Sequence, residues 1–136
     1  NTAANIINKI IYDAYMMKIL IADDSIMARK MLIKAIKEIV TIPIKIIQAS
    51  NGSEAIKSFE REEPNIVFIG LKIPQIDGIE VIKKIKKMNT KANIITLSKD
   101  MEKDTIEKIN SLDILGYIKK PVSNDIISKY FKKLGI

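Results

Sequence analysis

From Met17 onward, short apolar runs alternate with longer amphipathic ones. Residues 18–22 and 66–70 are so uniformly apolar that they read as strands covered on both faces, and residues 44–49, 93–97 and 115–119 supply three more. The intervening segments carry apolar residues at helical spacing. In 25–39 these are Ala28, Met31, Leu32, Ala35, Ile36 and Ile39, and in 79–88 they are Ile79, Ile82, Ile85 and Met88. In 123–134 they are Ile126, Ile127, Tyr130, Phe131 and Leu134. Residues 53–61 predict a helix that ends before Pro64, and 101–110 a shorter, more polar one. Residues 71–77 form a loop around Pro74, and Asp77-Gly78 signals a turn. Five strands alternating with five helices predict a doubly wound α/β domain, a parallel sheet with helices on both faces. Its crevice lies at the carboxyl ends of the strands.

The domain is expected to span 17–136, with residues 1–16 as an extension. In that extension Ile6, Ile7, Ile10, Ile11 and Ala14 share one helical face. Asn8 and Lys9 interrupt the apolar stretch, so it does not read as a signal peptide. If helical, its stripe has to dock on the domain or on a partner.

Composition narrows the chemistry. The 136 residues fit one domain, and at 47% hydrophobic they supply a packed core. With neither Cys nor His, the chain has no disulfide, thiolate metal site, phosphohistidine or imidazole base. The lack of Cys fits a reducing cytoplasm. No apolar run approaches the roughly 20 residues needed to span a bilayer, so membrane insertion is not expected. The net charge of +7 raises the alternative of a basic nucleic-acid-binding protein. Against it, the lysines are dispersed and the 5% aromatic content is too low for a stacking platform. Lys83, Lys84, Lys86 and Lys87 read as a solvated helix surface.

The unusual residues fall at strand ends: Asp23 and Asp24 after the first, Gly70 at the third, Ser98 after the fourth and Lys120 after the fifth. The predicted fold gathers these ends. Paired carboxylates suit a hard cation such as Mg²⁺, and a hydroxyl with an ammonium suits phosphoryl oxygens. Plainer readings stand beside these. Asp23, Asp24 and Ser25 also suit the start of the following helix, Tyr117 is equally a core aromatic, and Lys120 a partner for Asp23 and Asp24. There is no Gly-rich phosphate loop and no nucleophile–base pair, which argues against an enzyme.

Four stretches together resemble the response-regulator receiver domain, of the single-domain chemotaxis-regulator type. They are Ile21-Ala22-Asp23-Asp24-Ser25, Ile73-Pro74-Gln75-Ile76-Asp77-Gly78, Leu97-Ser98 and Gly116-Tyr117-Ile118-Lys119-Lys120-Pro121. The resemblance implies a flavodoxin-like sheet of order 2-1-3-4-5. It implies Mg²⁺ held by Asp23 and Asp24 with the Lys72 backbone, a switch hydroxyl at Ser98, a rotating aromatic at Tyr117 and a phosphoryl-sensing Lys120. It also implies a cis bond before Pro121. In the family the acceptor Asp lies four residues before the loop proline. Here that position is Gly70, and Ile69, Leu71 and Lys72 beside it are not carboxylates.

The resemblance therefore implies a module of a two-component phosphorelay without a phosphoacceptor, with weakened Mg²⁺ binding and action through protein contact. A sensor kinase, a motor component or a chemotaxis protein is the partner it implies. An alternative is an ordinary phosphoaccepting regulator inactivated by an engineered change at 70. No output domain is expected, since the fifth helix of the fold reaches about residue 134.

Overall fold

The computed structural model of the protein describes residues 2–100 and 102–136. Helix α1 (Thr2–Tyr15) precedes a regular alternation of strand and helix: β1 (Met17–Ala22), α2 (Ile26–Ile39), β2 (Ile44–Ala49), α3 (Gly52–Glu62), β3 (Ile66–Gly70), α4 (Gly78–Met88), β4 (Ile94–Ser98), α5 (Lys103–Asn110), β5 (Gly116–Lys119) and α6 (Asn124–Lys133). The strands form one parallel sheet in the order β2-β1-β3-β4-β5. This is the doubly wound, flavodoxin-like fold that the pattern and the resemblance pointed to.

The central strands are apolar on both sides because both sides are covered. Leu20, Ala22, Val67 and Ile69 face one core layer with Ala55 and Phe59 of α3, Val81, Ile82 and Ile85 of α4, and Ile109 of α5. Ile19, Ile21, Ile66 and Phe68 face the other, with Leu32, Ala35 and Ile36 of α2 and Ile127 and Phe131 of α6. Burying each large side chain stabilises by about 1.5–3 kcal/mol. Strand β3, buried along its whole length, therefore sits at the centre of the sheet.

Local capping starts several helices close to the strand tips. Ser25 Oγ accepts from the Ala28 N–H (3.1 Å), and Asn51 Oδ1 from that of Glu54 (2.8 Å). Asp77 Oδ1 accepts from Ile79 and Glu80 (2.8 and 3.3 Å), and Ser123 Oγ from Ile126 (3.4 Å). Each such cap contributes about 0.5–2 kcal/mol. The Gly78 N–H also donates to the Leu71 carbonyl (2.9 Å), which folds the 71–77 loop back on the tip of β3.

Three residues assigned to apolar helix faces lie at the rims instead. Met31, Met88 and Ile126 are all substantially exposed. Helical spacing defines a stripe but not its width, and on α2 the buried row is Leu32, Ala35 and Ile36. The short helix begins at Lys103 rather than 101, because Glu102 has extended backbone (φ −63°, ψ 152°). Met101 and Asn1, which fall within the sequence-assigned segments, lie outside the described residues. Within the 1–16 segment residues 2–15 are helical, but their apolar stripe belongs to neither core layer.

Candidate functional site

Strand register brings the tips level. Ala22 pairs with Ile69, Gly70 with Leu97, and Ser98 with Lys119. Asp23, Gly70, Ser98 and Lys120 therefore converge on one cleft of about 840 Å³, whose rim includes Asp24 and Lys72.

Asp23 is the fixed point of this cleft. It is 4% exposed, and its backbone N–H donates to the Ala49 carbonyl (3.0 Å). Its Oδ1 accepts from the Ser25 N–H (2.9 Å), and its Oδ2 takes the Lys120 ammonium at 2.5 Å. Arg29 donates from Nη1 to the Asp23 carbonyl (2.6 Å) and from Nε to Gln48 Oε1 (2.9 Å). A carboxylate this buried requires such pairing, since desolvation without a partner is costly. Asp24, the next residue, is exposed at the rim of the same cleft. The cap and pocket readings of Asp23-Asp24-Ser25 thus divide between residues: Ser25 caps α2, and Asp23 serves the cleft.

The other tips are tied to this point. The Lys120 N–H donates to the Ser98 carbonyl (2.9 Å), and the Lys120–Pro121 bond is cis. Ser98 is buried, and its Oγ accepts from the Asp100 N–H (3.1 Å). Thr96 Oγ1 donates to the Ile69 carbonyl (2.8 Å), fixing the chain just before Gly70. At the rim, Lys72 Nζ lies 3.6 Å from Asp100 Oδ2.

Gly70 is buried among these groups. A Cβ built there would meet Ile73 Cγ2 at 3.3 Å, Asp23 Oδ2 at 3.4 Å and the Ala22 carbonyl at 3.6 Å. A side chain at 70 would therefore enter beside the carboxylate oxygen that Lys120 holds.

Tyr117 does not join this cluster. It lies on β5, is 38% exposed, and is not among the residues lining the cleft. Its carbonyl accepts from the Tyr130 hydroxyl (3.2 Å). Partial burial pushes the Tyr130 phenol above its ordinary value. Tyr130 therefore remains a protonated donor at neutral pH.

Two features went unread in the sequence. Arg29 pins Asp23, and it is one of only two arginines in a lysine-rich chain, with Arg61. That rarity was the available signal, since a forked guanidinium suits two fixed acceptors better than an ammonium does. The cleft also has an apolar wall, formed by Met27, Ala28, Met31, Leu32 and Val122. Helical spacing had placed Met31 in the core.

The donor set bears on the Mg²⁺ that the resemblance implied. Asp23 already neutralises Lys120, Asp24 is exposed, and Gly70 offers no oxygen from a side chain. Among the described residues, no three His, Cys, Asp or Glu side chains are grouped to hold a metal. The residues present do not form a complete hard-cation site by themselves.

The sequence model of the response regulator receiver domain matches residues 19–132. Sporulation initiation phosphotransferase F of Bacillus subtilis (strain 168) is 32% identical over 116 residues, which cover 85% of this chain and 91% of that protein. The chemotaxis protein CheY of Listeria monocytogenes serovar 1/2a is 27% identical over 87% of this chain and 98% of its own length. In the solved CheX–CheY–BeF3–Mg²⁺ complex from Borrelia burgdorferi, the matched chain is 21% identical with a TM-score of 0.79, covering 88% of this chain and 90% of that one. That last likeness concerns the fold. On the family match and the Bacillus relative, the chain belongs to the response regulator receiver domain family.

Proposed function

We propose that the chain is a receiver-type module of two-component signalling that does not accept a phosphoryl group, and that it acts by contact with other proteins. The supporting observation is the placement of Gly70 beside Asp23 Oδ2, with Lys120 already on that oxygen. Gly70 occupies the phosphoacceptor position implied by the spacing to Pro74, and it has no oxygen to phosphorylate. A receiver switches through contacts that its phosphorylated form makes and its free form does not. Without an acceptor, that source of bias is missing. Asp23 and Lys120 neutralise each other, so the conformation is fixed or set by a partner. Ser98 and Lys120 are the groups that would have sensed phosphate, and Tyr117 is an exposed aromatic on β5 outside the cleft.

On this reading Mg²⁺ binds weakly through Asp23 and Asp24 with the Lys72 carbonyl, and the protein catalyses no reaction. Partners of the kinds the family uses, such as a sensor kinase, a motor component or a chemotaxis protein, fit this role. The test is incubation with a small acyl phosphate and Mg²⁺, read by intact mass, on this chain and its Gly70→Asp variant. No adduct is expected on the chain itself, and one phosphate on the variant. A phosphate on the unaltered chain that disappears on Asp23→Asn would overturn the proposal.

One observation favours a second reading, an ordinary phosphoacceptor inactivated by a change at 70. The space at Gly70 admits a Cβ with only a small shift of the Ile73 methyl group. Under that reading Gly70→Asp regains Mg²⁺-dependent phosphorylation at the rate of an ordinary receiver. Under the first, the variant accepts phosphate slowly and without a conformational response.

A further inference from the structure

Each helix of the sheet domain buries apolar residues in a core layer, but α1 contributes to neither layer. Ile6, Ile7, Ile10 and Ile11 are each at least half exposed, and Ala3 and Ala14 beside them are exposed too. At 3.6 residues per turn these six residues occupy an arc of roughly 140°, and no polar residue falls within it. A stripe of this width requires a partner.

The order of residues in the stripe identifies that partner. Read from either end of the helix, it is the same: Ala3 mirrors Ala14, Ile6 mirrors Ile11, and Ile7 mirrors Ile10. An isologous two-fold contact needs a surface that is complementary to itself when reversed. Antiparallel pairing would set Ile7 against Ile10 and the small Ala3 against Ala14, so that both ends of the helix pair approach closely. The charge also permits it. The chain carries +7 overall, but α1 contains one lysine, Lys9, and one acidic residue, Asp13. Two copies can therefore meet through α1 without stacking the positive charge of their domains.

The chain's own domain is a poorer seat. Only Met16 separates α1 from β1, and both sheet faces already carry their helices. Met17 lies at the amino end of β1, opposite the strand-tip cleft, so pairing there leaves the cleft open.

We infer that α1 pairs antiparallel with α1 of a second copy of this chain, through Ile6, Ile7, Ile10 and Ile11. The interface is small and falls in the weak, reversible class.

Sedimentation over a wide concentration range tests the pairing. The full chain is expected to shift reversibly from one chain mass toward two. The double variant Ile7→Lys, Ile10→Lys is expected to lose about tenfold or more in dimer affinity. These residues lie outside both core layers, so its thermal unfolding should match the parent's. Orientation is tested by cross-linking, which is clean because the chain has no cysteine. Mixed Ala3→Cys and Ala14→Cys chains should form a mixed disulfide dimer under mild oxidation, far faster than either variant alone. A single chain mass at every concentration would overturn the inference, whether α1 then seats on its own domain or awaits a different protein. So would an unchanged dimer in the double variant, or Ala3→Cys alone cross-linking as fast as the mixture.

Discussion

At the carboxyl end of the sheet, one lysine meets one carboxylate: Lys120 and Asp23, 2.5 Å apart, with side-chain exposures of 20% and 5%. At the amino end, Lys18 and Lys45 share Glu62 at 3.5 and 3.3 Å, and these side chains are more open to water, at 33%, 47% and 18%. The groups are the same, but the surroundings differ. At the amino end, water and salt screen the pair, and either partner can leave without stranding the other. In the cleft, losing the lysine strands a buried charge next to a glycine. The sheet thus uses a lysine–carboxylate contact as ordinary surface at one end. At the other, the contact takes up the charge of a cleft whose central strand ends without a side chain.

The comparison is broken most severely by removing Lys120. Lys120→Ala leaves Asp23 buried and unpaired, and stability should fall by about 3–5 kcal/mol in urea unfolding. A loss no larger than that of Lys45→Ala would mean the two ends do not differ.

Next comes Gly70→Asp. Two unit charges about 4 Å apart repel by roughly 4 kcal/mol at an effective dielectric near 20. Lys120 offsets part of this, and removing a strand glycine returns about 0.5–1 kcal/mol. A net loss of about 1–2 kcal/mol is expected in chelator, from the same balance of charge and backbone terms, with recovery in Mg²⁺. Equal melting in chelator for the two forms would contradict this crowding.

Lys45→Ala should lower the melting temperature only slightly, and the difference should shrink in about 0.5 M salt. A salt-independent effect would place the amino-end group in a drier setting than the structure gives it.

The smallest effect is with pH. The Lys45 hydrogen bond holds Glu62 below its ordinary value of 4.5 against the opposing effect of burial, helped by the Lys45 charge and by the Lys18 hydrogen bond and charge. A carboxylate with a lowered folded pKa contributes stability above the ordinary value, and that contribution is lost as pH falls through the lowered one. Glu62→Gln should therefore flatten the acid side of the melting curve below about pH 5 and leave neutral pH nearly unchanged. An unaltered acid slope would count against the ion-pair group.

The fold was legible because each strand of the sheet is recognisable by itself. Ile66 to Ile69 cannot be a one-faced strand, and a strand buried on both faces requires helices on both faces. The cluster of tips was legible too, since parallel strands carry their carboxyl ends to one side. The division of labour between Asp23 and Asp24 was not. Asp23 is buried against Lys120 while Asp24 stays exposed at the rim, and sequence does not say which of two adjacent carboxylates is buried. Arg29 was missed because its partner is the Asp23 carbonyl, which every residue has. The open apolar wall at Met27 and Met31 was missed because helical spacing does not reveal where a covering surface stops. The exposure of α1 depends on what it packs against, and periodicity alone left the choice between domain and partner open.

The account depends on the bare tip of β3 lying against the Asp23–Lys120 pair. Intact mass after incubation with a small acyl phosphate and Mg²⁺ tests it most directly, with the unaltered chain and Gly70→Asp measured side by side. The predicted result is no added mass on the chain and a single phosphate on the variant, lost again when Asp23 is also replaced by Asn. A phosphate on the unaltered chain, or a variant that takes none at any Mg²⁺ concentration, would contradict it.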